Sequence, residues 1–323
     1  MSSLHTPVLF IVFNRIDTAA RVFEAIKAAK PRKLYIAADG PRKEVAGEEQ
    51  KCMEARSIAD KVDWDCELKT FFRTENDGTR YGIVKAIDWF FSHEEEGIIL
   101  EHDCLPSPFF FEFCTELLAH FRYDHRVMHI GGTNLQFGQK RGDAAYYFSR
   151  IASIWGWAGW RRVWQGRDYE MTQFQLFEKE DQMINLFPER RIADWATAMA
   201  RSVYEKKLVT WDYPYAFSIL CNNGLCIVPN ENLISNIGFG AGATHTQNEN
   251  DIHAGIPFGN LHVVTHPEIF VPDSNADLFQ LKLSVDQVTK QQLKTIKQGV
   301  LRIEKQQRTN PFSLKKLLQY IRK

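Results

Sequence analysis

Two periods of apolar residues alternate along the first hundred positions of this chain. Val8 to Phe13 is an unbroken apolar run, the pattern of a central parallel strand covered on both faces. Asp17-Thr18 then offers a helix N-cap. Val22, Phe23, Ile26 and Ala29 recur at helical spacing until Pro31 closes the helix. Lys33 to Ala38 reads as a second strand, running into Asp39-Gly40-Pro41. Residues 43–61 read as a helix with a partial stripe of Met53, Ile58 and Val62, and Leu68 to Phe72 as a third strand. A helix over 79–93 carries Ile83, Ile87, Phe90 and Phe91, and a fourth strand follows over 97–101. Strand–helix alternation repeated three times predicts an α/β fold, a doubly wound parallel sheet with helices on both faces. Beyond residue 125 the strand-like segments shorten, aromatic residues crowd in, and a helix is expected over 191–207. From about 270 the chain turns polar and helix-prone, and neither an internal repeat nor a low-complexity linker interrupts it.

In such a sheet, ligands sit outside the carboxyl ends of the strands, where strand order reverses. Polar residues stand at three of those ends: Asn14-Arg15, Asp39-Gly40 and Glu101-His102-Asp103. The third group needs a reason, because desolvating ionisable side chains at the end of a buried strand is costly. Two carboxylates this close repel unless a positive charge joins them. A divalent cation with oxygen ligands, Mg²⁺ or Mn²⁺, bridging to substrate phosphates is the natural candidate. A solvated turn is the alternative reading of the same triplet. No GxGxxG follows the first strand and no GxxxxGK[ST] occurs, so neither a dinucleotide fingerprint nor a P-loop is supported.

Charge and composition narrow the class. Forty basic and forty acidic side chains give a formal net charge of zero, which argues against a general nucleic-acid binder. Six cysteines, at 52, 66, 104, 114, 221 and 226, lack zinc spacing and read as free thiols of a reducing compartment. The N-terminal apolar stretch lacks a basic leader and a cleavage site, and no segment reaches membrane-spanning length, so a cytoplasmic protein is expected. The terminal NPFSLKKLLQYIRK alternates leucines with lysines. It reads as a tail helix packed on the domain, with a weak membrane-surface contact as the other reading.

The segment LEHDCLPSPFFFEFC resembles the E-D-D-x-x-x-x-P-x-F-F-x-[YF] block of GT-A-fold glycosyltransferases, in particular the N-acetylglucosaminyltransferase I type and related bacterial nucleotide-diphospho-sugar transferases. FNR, AADGPR, TRYGIVKAIDWFF, SIWGWAGWRRVW and TWDYPYAFSI fall in the order of further blocks, so the resemblance spans roughly residues 6 to 265. It implies a GT-A-like, Rossmann-like doubly wound mixed sheet flanked by helices. A glycosyltransferase domain would cover 1–270, with a nucleotide half to about 125 and an acceptor half after it, and 271–323 would be a helical tail. It also implies an Mn²⁺- or Mg²⁺-dependent enzyme that moves a sugar from a nucleotide-diphosphate donor, with uracil as base, to a glycan or other hydroxyl acceptor with inversion.

The resemblance assigns roles position by position. Phe13, Asn14 and Arg15 match the loop around the nucleotide, with Arg15 as a phosphate ligand; a surface arginine is the plain alternative. Asp39 matches the acid that hydrogen-bonds the uracil imide, although DGP is otherwise an ordinary turn. Tyr81 and Lys85 match ribose and phosphate contacts, and read otherwise as a core and a solvated helix residue. Asp103 matches the direct metal ligand, and Glu101 would face the nucleotide or the metal's waters. His102 stands where the family has its middle acid, which puts a ribose contact there in doubt. His245, in GFGAGATHT, matches a late histidine ligand of the metal, and reads otherwise as a surface residue. Trp155, Gly156 and Trp157 match a sugar-facing segment, although most of the cluster Trp155, Trp157, Trp160 and Trp164 reads as packing. Asp212, beside Trp211, matches a general base; an N-cap or surface acid is the alternative.

Two other classes compete. A nucleotidyltransferase that makes sugar nucleotides should carry a glycine-rich basic signature after the first strand, which FNRIDTAAR lacks. A non-catalytic glycan- or nucleotide-binding protein would use the tryptophan cluster as its platform.

Overall fold

The first apolar run forms strand β1 (Val8–Val12), every residue of it buried, in a computed structural model that describes residues 3–240, 248 and 251–287. Helix α1 (Ile16–Ala29) buries Ala19, Val22, Phe23 and Ile26. It stops at Lys30, whose left-handed backbone (φ 49°) lets its N–H reach the carbonyls of Ile26 and Lys27 before Pro31. Strand β2 (Lys33–Ala38), helix α2 (Glu48–Arg56), strand β3 (Glu67–Phe72), helix α3 (Gly78–His93) and strand β4 (Glu96–Glu101) complete the alternation. Helix α2 is shorter than the pattern predicts: residues 39–47 form a turn-rich loop, and 57–61 tighten into a 3₁₀ turn. The cause is Glu48, whose buried carboxylate binds the Arg42 backbone and side chain and so organises that loop.

Strand β1 pairs in parallel with β2 on one side and β4 on the other, and β2 pairs in parallel with β3. The order β3-β2-β1-β4 therefore reverses between β1 and β4. Strand β5 (Cys104–Pro106) and helix α4 (Pro108–His120) follow. Helix α4 opens on Pro108, as a first-turn proline allows, and buries Phe110, Phe111, Phe113, Cys114, Leu117 and Leu118.

The remainder of the described chain supplies β6 (Val127–Gly131), β7 (Tyr146–Ser149), β8 (Trp157–Trp160), α5 (Arg161–Gln165), α6 (Phe174–Lys179), α7 (Met183–Leu186), α8 (Arg190–Tyr204), α9 (Asp212–Cys221), β9 (Leu225–Pro229) and β10 (Ile234–Asn236). The sheet continues from β4 through β8, β6 and β9 to β7, eight strands in all. Strand β8 runs antiparallel to β4 and β6, and β7 antiparallel to β9, so the sheet is mixed. Strands β5 and β10 form a separate antiparallel ribbon. The architecture is a Rossmann-like mixed α/β sheet flanked by helices, consistent with the GT-A-like fold.

Trp157, Trp160 and Trp164 are spaced as on a helix, but the segment is built differently. Trp157 and Trp160 lie on β8 in the middle of the sheet, and only Trp164 is on a helix. A four-residue apolar run buried on both faces carries no period that separates strand from helix.

The chain divides into two units, Met1–Asp277 and Leu278–Lys323. Of the second, residues 278–287 are described and are helical. All six cysteines are free thiols. Among the described residues no helix is long and apolar enough to cross a membrane. His245 and the basic segment 310–323 lie outside the described residues.

Candidate functional site

At the reversal of strand order, Ile11 of β1 stands opposite Glu101 of β4, and a cleft of about 550 Å³ opens beyond both strand ends. Phe13, Asn14, Arg15, Asp39, Glu101, His102 and Asp103 line it from the strand ends, and Trp155 and Asp212 from the later chain. The topology thus gathers most of the residues singled out in the sequence.

The floor is acidic. Glu101 ends β4, and burial together with the charges of Asp103 and Asp212 pushes its carboxyl up to about 8. Asp103 is held by its own carbonyl, which accepts from Ile237 N at 2.9 Å, and its Oδ1 accepts from Cys104 Sγ at 3.6 Å. Gly238 packs so closely on it that a Cβ at that position would overlap Asp103 Oδ2. Burial holds the His102 imidazole below its usual range, the Arg15 guanidinium adds to the effect, and the Asp103 charge opposes it.

The third carboxylate arrives from another part of the chain. Asp212 is the first residue of α9, where the helix dipole favours an anion. Its Oδ1 accepts from the Thr210 hydroxyl. Trp211, only 4% exposed, stacks at 25° against Trp157, and Trp164 and Tyr215 pack on the same group. Tyr213 donates its hydroxyl to Ala196 O of α8 at 3.1 Å. The buried tryptophans therefore fix where Asp212 points.

This concentration of negative charge fits a divalent cation. Among the described residues, no three His, Cys, Asp or Glu side chains group closely enough to hold one alone. The protein would supply one or two carboxylates, leaving the other positions to phosphate oxygens and water, as Mg²⁺ sites commonly do.

The cleft also has basic residues. Arg15 caps α1 and donates to Gly238 O at 2.8 Å, which ties the first turn to the segment over Asp103. Asn14 donates to Glu48 at 2.8 Å. Glu48 also accepts from the Arg42 backbone and guanidinium, and those hydrogen bonds hold its carboxyl down at about 2. Arg42 and Arg73 both line the cleft. Asp39 is engaged locally: Oδ2 accepts from Asp77 N at 2.9 Å and Gly78 N at 3.1 Å, and Oδ1 from Gly40 N at 3.0 Å. It satisfies the open N–H groups at the start of α3 while lining the cleft. Burial raises its carboxyl, and the backbone donors and Arg73 pull it down.

Four sequence candidates stand elsewhere. Tyr81 is half exposed and pairs with Tyr169 beneath the Arg80 guanidinium. Lys85 is paired with Asp77. Gly156 adopts φ 61°, and a Cβ there would overlap Ile234, so backbone and packing account for the glycine. Trp157 is 1% exposed and belongs to the core. None of these four lines the cleft.

The sequence reading passed over Arg42, Glu48 and Arg73. Arg73 stands just beyond the carboxyl end of β3, so the rule that found the other strand ends would have found it. Arg42 lies within the AADGPR segment, but nothing local marks Glu48, whose role exists only through contacts.

No family model and no curated protein matches the chain. Among solved structures, it is similar to a cytidylyltransferase from Leptospira borgpetersenii serovar Hardjo-bovis, 11% identical over 51% of this chain and 63% of that one, with a TM-score of 0.32. The chain thus spans under two thirds of that protein. It is also similar to a 4-diphosphocytidyl-2C-methyl-D-erythritolsynthase from Anaerococcus prevotii, 10% identical over 55% of this chain and 83% of that one, TM-score 0.30. An apo UDP-glucose pyrophosphorylase is 8% identical over 49% of this chain and 79% of that one, TM-score 0.28. Likeness at this level assigns no activity.

Proposed function

We propose that the cleft binds a nucleoside-diphosphate sugar, with uridine as nucleoside, and transfers the sugar to a hydroxyl acceptor with inversion. The observation that carries this reading is the meeting of Glu101, Asp103 and Asp212 in one cleft at the β1/β4 switch point, with Arg15, Arg42 and Arg73 lining the same cleft. A divalent cation, Mn²⁺ or Mg²⁺, supplies electrostatic stabilisation of the leaving diphosphate when bound there. Asp103 would hold it, Glu101 would face its waters or the nucleotide, and His245 would be a further ligand on the resemblance alone.

The chain's own residues do the rest. The guanidinium groups of Arg15, Arg42 and Arg73 face phosphate oxygens with planar, permanently charged donors. Phe13, Asn14 and Asp39 receive the base, and Trp155 offers a ring to the transferred sugar. Asp212 takes the proton of the acceptor hydroxyl. A single base with direct displacement suffices for inversion, whereas retention through a covalent intermediate needs a second nucleophilic group.

Nucleotidyl transfer is the second reading, since an acid pair beside guanidinium groups suits metal-assisted chemistry at a nucleoside triphosphate as well. Against it stands the turn Phe13-Asn14-Arg15, which has no glycine to bring backbone N–H groups around a triphosphate. A non-catalytic glycan platform of tryptophans is disfavoured because Trp157, Trp160 and Trp164 are each 3% exposed or less.

The deciding experiment supplies Mn²⁺ and either UDP-sugars or UTP with sugar 1-phosphates. Release of UDP from the first set is expected, falling by ~10²–10⁴ in Asp212→Asn while UDP binding persists. Pyrophosphate release from the second set, without UDP release from the first, establishes the nucleotidyltransferase instead.

A further inference from the structure

The wall that carries Asp212 is apolar apart from a few placed polar groups, and it has no cation. Helix α8, the turn before α9 and the start of α9 contribute Met199, Leu208, Thr210, Trp211, Asp212 and Tyr213. Asp212 is the one charged residue among them. Met199, Leu208 and Tyr213 are half-buried, so their remaining surface is what the cleft presents.

The two hydroxyls of this wall are already engaged. The Thr210 hydroxyl donates to Asp212 Oδ1, and the Tyr213 hydroxyl donates to Ala196 O at 3.1 Å. A bare sugar needs partners for several hydroxyls, because a polar group buried without one is costly. Here the wall offers the second Asp212 oxygen and the Trp211 indole N–H and, beside them, aliphatic and aromatic surface. Pockets fix orientation with a few placed polar groups and gain affinity from apolar lining.

We infer that the acceptor is an amphipathic hydroxyl compound, presenting one hydroxyl to Asp212 and an alkyl or aryl group to Met199, Leu208 and Tyr213. This rests on the sugar-transfer reading and deepens it by naming the acceptor class. The donor side is lined by apolar residues as well, among them Phe13, Phe71 and Ile83, but it adds the guanidinium groups of Arg42 and Arg73, which the acceptor wall lacks.

The test compares methyl glycosides with hexyl and p-nitrophenyl glycosides of the same sugars, below any micelle concentration, in the full chain with Mn²⁺ and a UDP-sugar. Each methylene covered is worth about fourfold. Covering two or three gives a roughly 15- to 60-fold higher kcat/KM for the hexyl acceptor. Leu208→Asn and Met199→Gln, each verified as folded by circular dichroism, should bring the hexyl-to-methyl ratio toward one. A ratio near one in the unaltered protein overturns the inference, as does a high ratio that neither substitution lowers. A tryptophan-fluorescence titration of the same glycosides against the UDP- and Mn²⁺-treated protein needs no turnover. If no UDP-sugar reacts, the parent reading fails, and the hexyl-to-methyl binding ratio still decides the subsite: above tenfold supports it, near one removes it.

Discussion

Replacing Glu48 by glutamine tests whether the loop over the cleft is held by one buried charge. Its carboxylate is 1% exposed and accepts from Arg42 N, Arg42 Nε and Asn14 Nδ2, with the Arg42 guanidinium also paired to it. Glutamine keeps one acceptor oxygen but turns an amide donor toward one set of these donors. The fall of the carboxyl from an ordinary 4.5 to about 2 corresponds to roughly 3 kcal/mol of stabilisation at neutral pH. The Arg42 side chain is 45% exposed, so solvent screening reduces the expected loss to about 2 kcal/mol. The depressed acid stabilises the fold fully above its unfolded value, and that contribution disappears as pH falls through 4.5 toward 2. Urea unfolding at pH 7 and at pH 3 reads the effect directly. The variant should be destabilised at pH 7, and the gap from the unaltered protein should shrink by more than half at pH 3. An equal deficit at both values would falsify the assignment of the effect to charge and leave only altered packing.

Three further outcomes are expected. Gly238→Ala should displace the Asp103 side chain and lower Mn²⁺-dependent turnover at least tenfold, with some loss of melting temperature because the added Cβ also meets Asp103 Cβ and Cγ; an unaffected metal titration refutes the contact. Asp103→Ala should abolish metal-dependent transfer, whereas Glu101→Gln should weaken it less, as read by UDP release against Mn²⁺ concentration. UDP and Mn²⁺ together should stabilise the protein more than either alone, by about 2.7 kcal/mol at 100 times the dissociation constant. A larger stabilisation with GDP or ADP contradicts the uridine reading, and Asp39→Ala should weaken the uridine preference.

The strand–helix order and the strand-end residues were legible because they follow local rules. Val8–Val12 is apolar throughout since both faces are covered, and Glu101-Asp103 stands out because charge at the end of a buried strand is expensive. What the sequence concealed depends on contacts distant along the chain. Asp88, which accepts from Trp164 Nε1 at 2.7 Å, and Glu48, which binds Arg42 and Asn14, look like solvated helix residues in isolation. Trp157, Trp160 and Trp164 carry helical spacing, yet the first two enter a strand because β8 must fill the gap between β4 and β6. Gly156 resembles a ligand-approach glycine, but its positive φ and the Ile234 side chain account for it.

The three carboxylates are held by unlike means, and that difference bears on the chemistry. Glu101 and Asp103 are fixed by the central sheet and by the Ile237–Gly238 segment, which Arg15 grips through the Gly238 carbonyl. Asp212 is fixed by a helix whose first turn is pinned on buried tryptophans. An acid pair locked to the sheet suits a role in which charge must meet phosphate at a set distance. In the proposed transfer, a base carried on a separate helix can be offset for a different acceptor by changes in α8 and α9 without disturbing the strand ends. Reacting groups misplaced by about 1 Å can cost two orders of magnitude in rate. The Trp157–Trp164–Trp211–Tyr215 cluster therefore serves the cleft although three of its four members do not line it: its stiffness keeps the Asp212 oxygen in register with the acid pair.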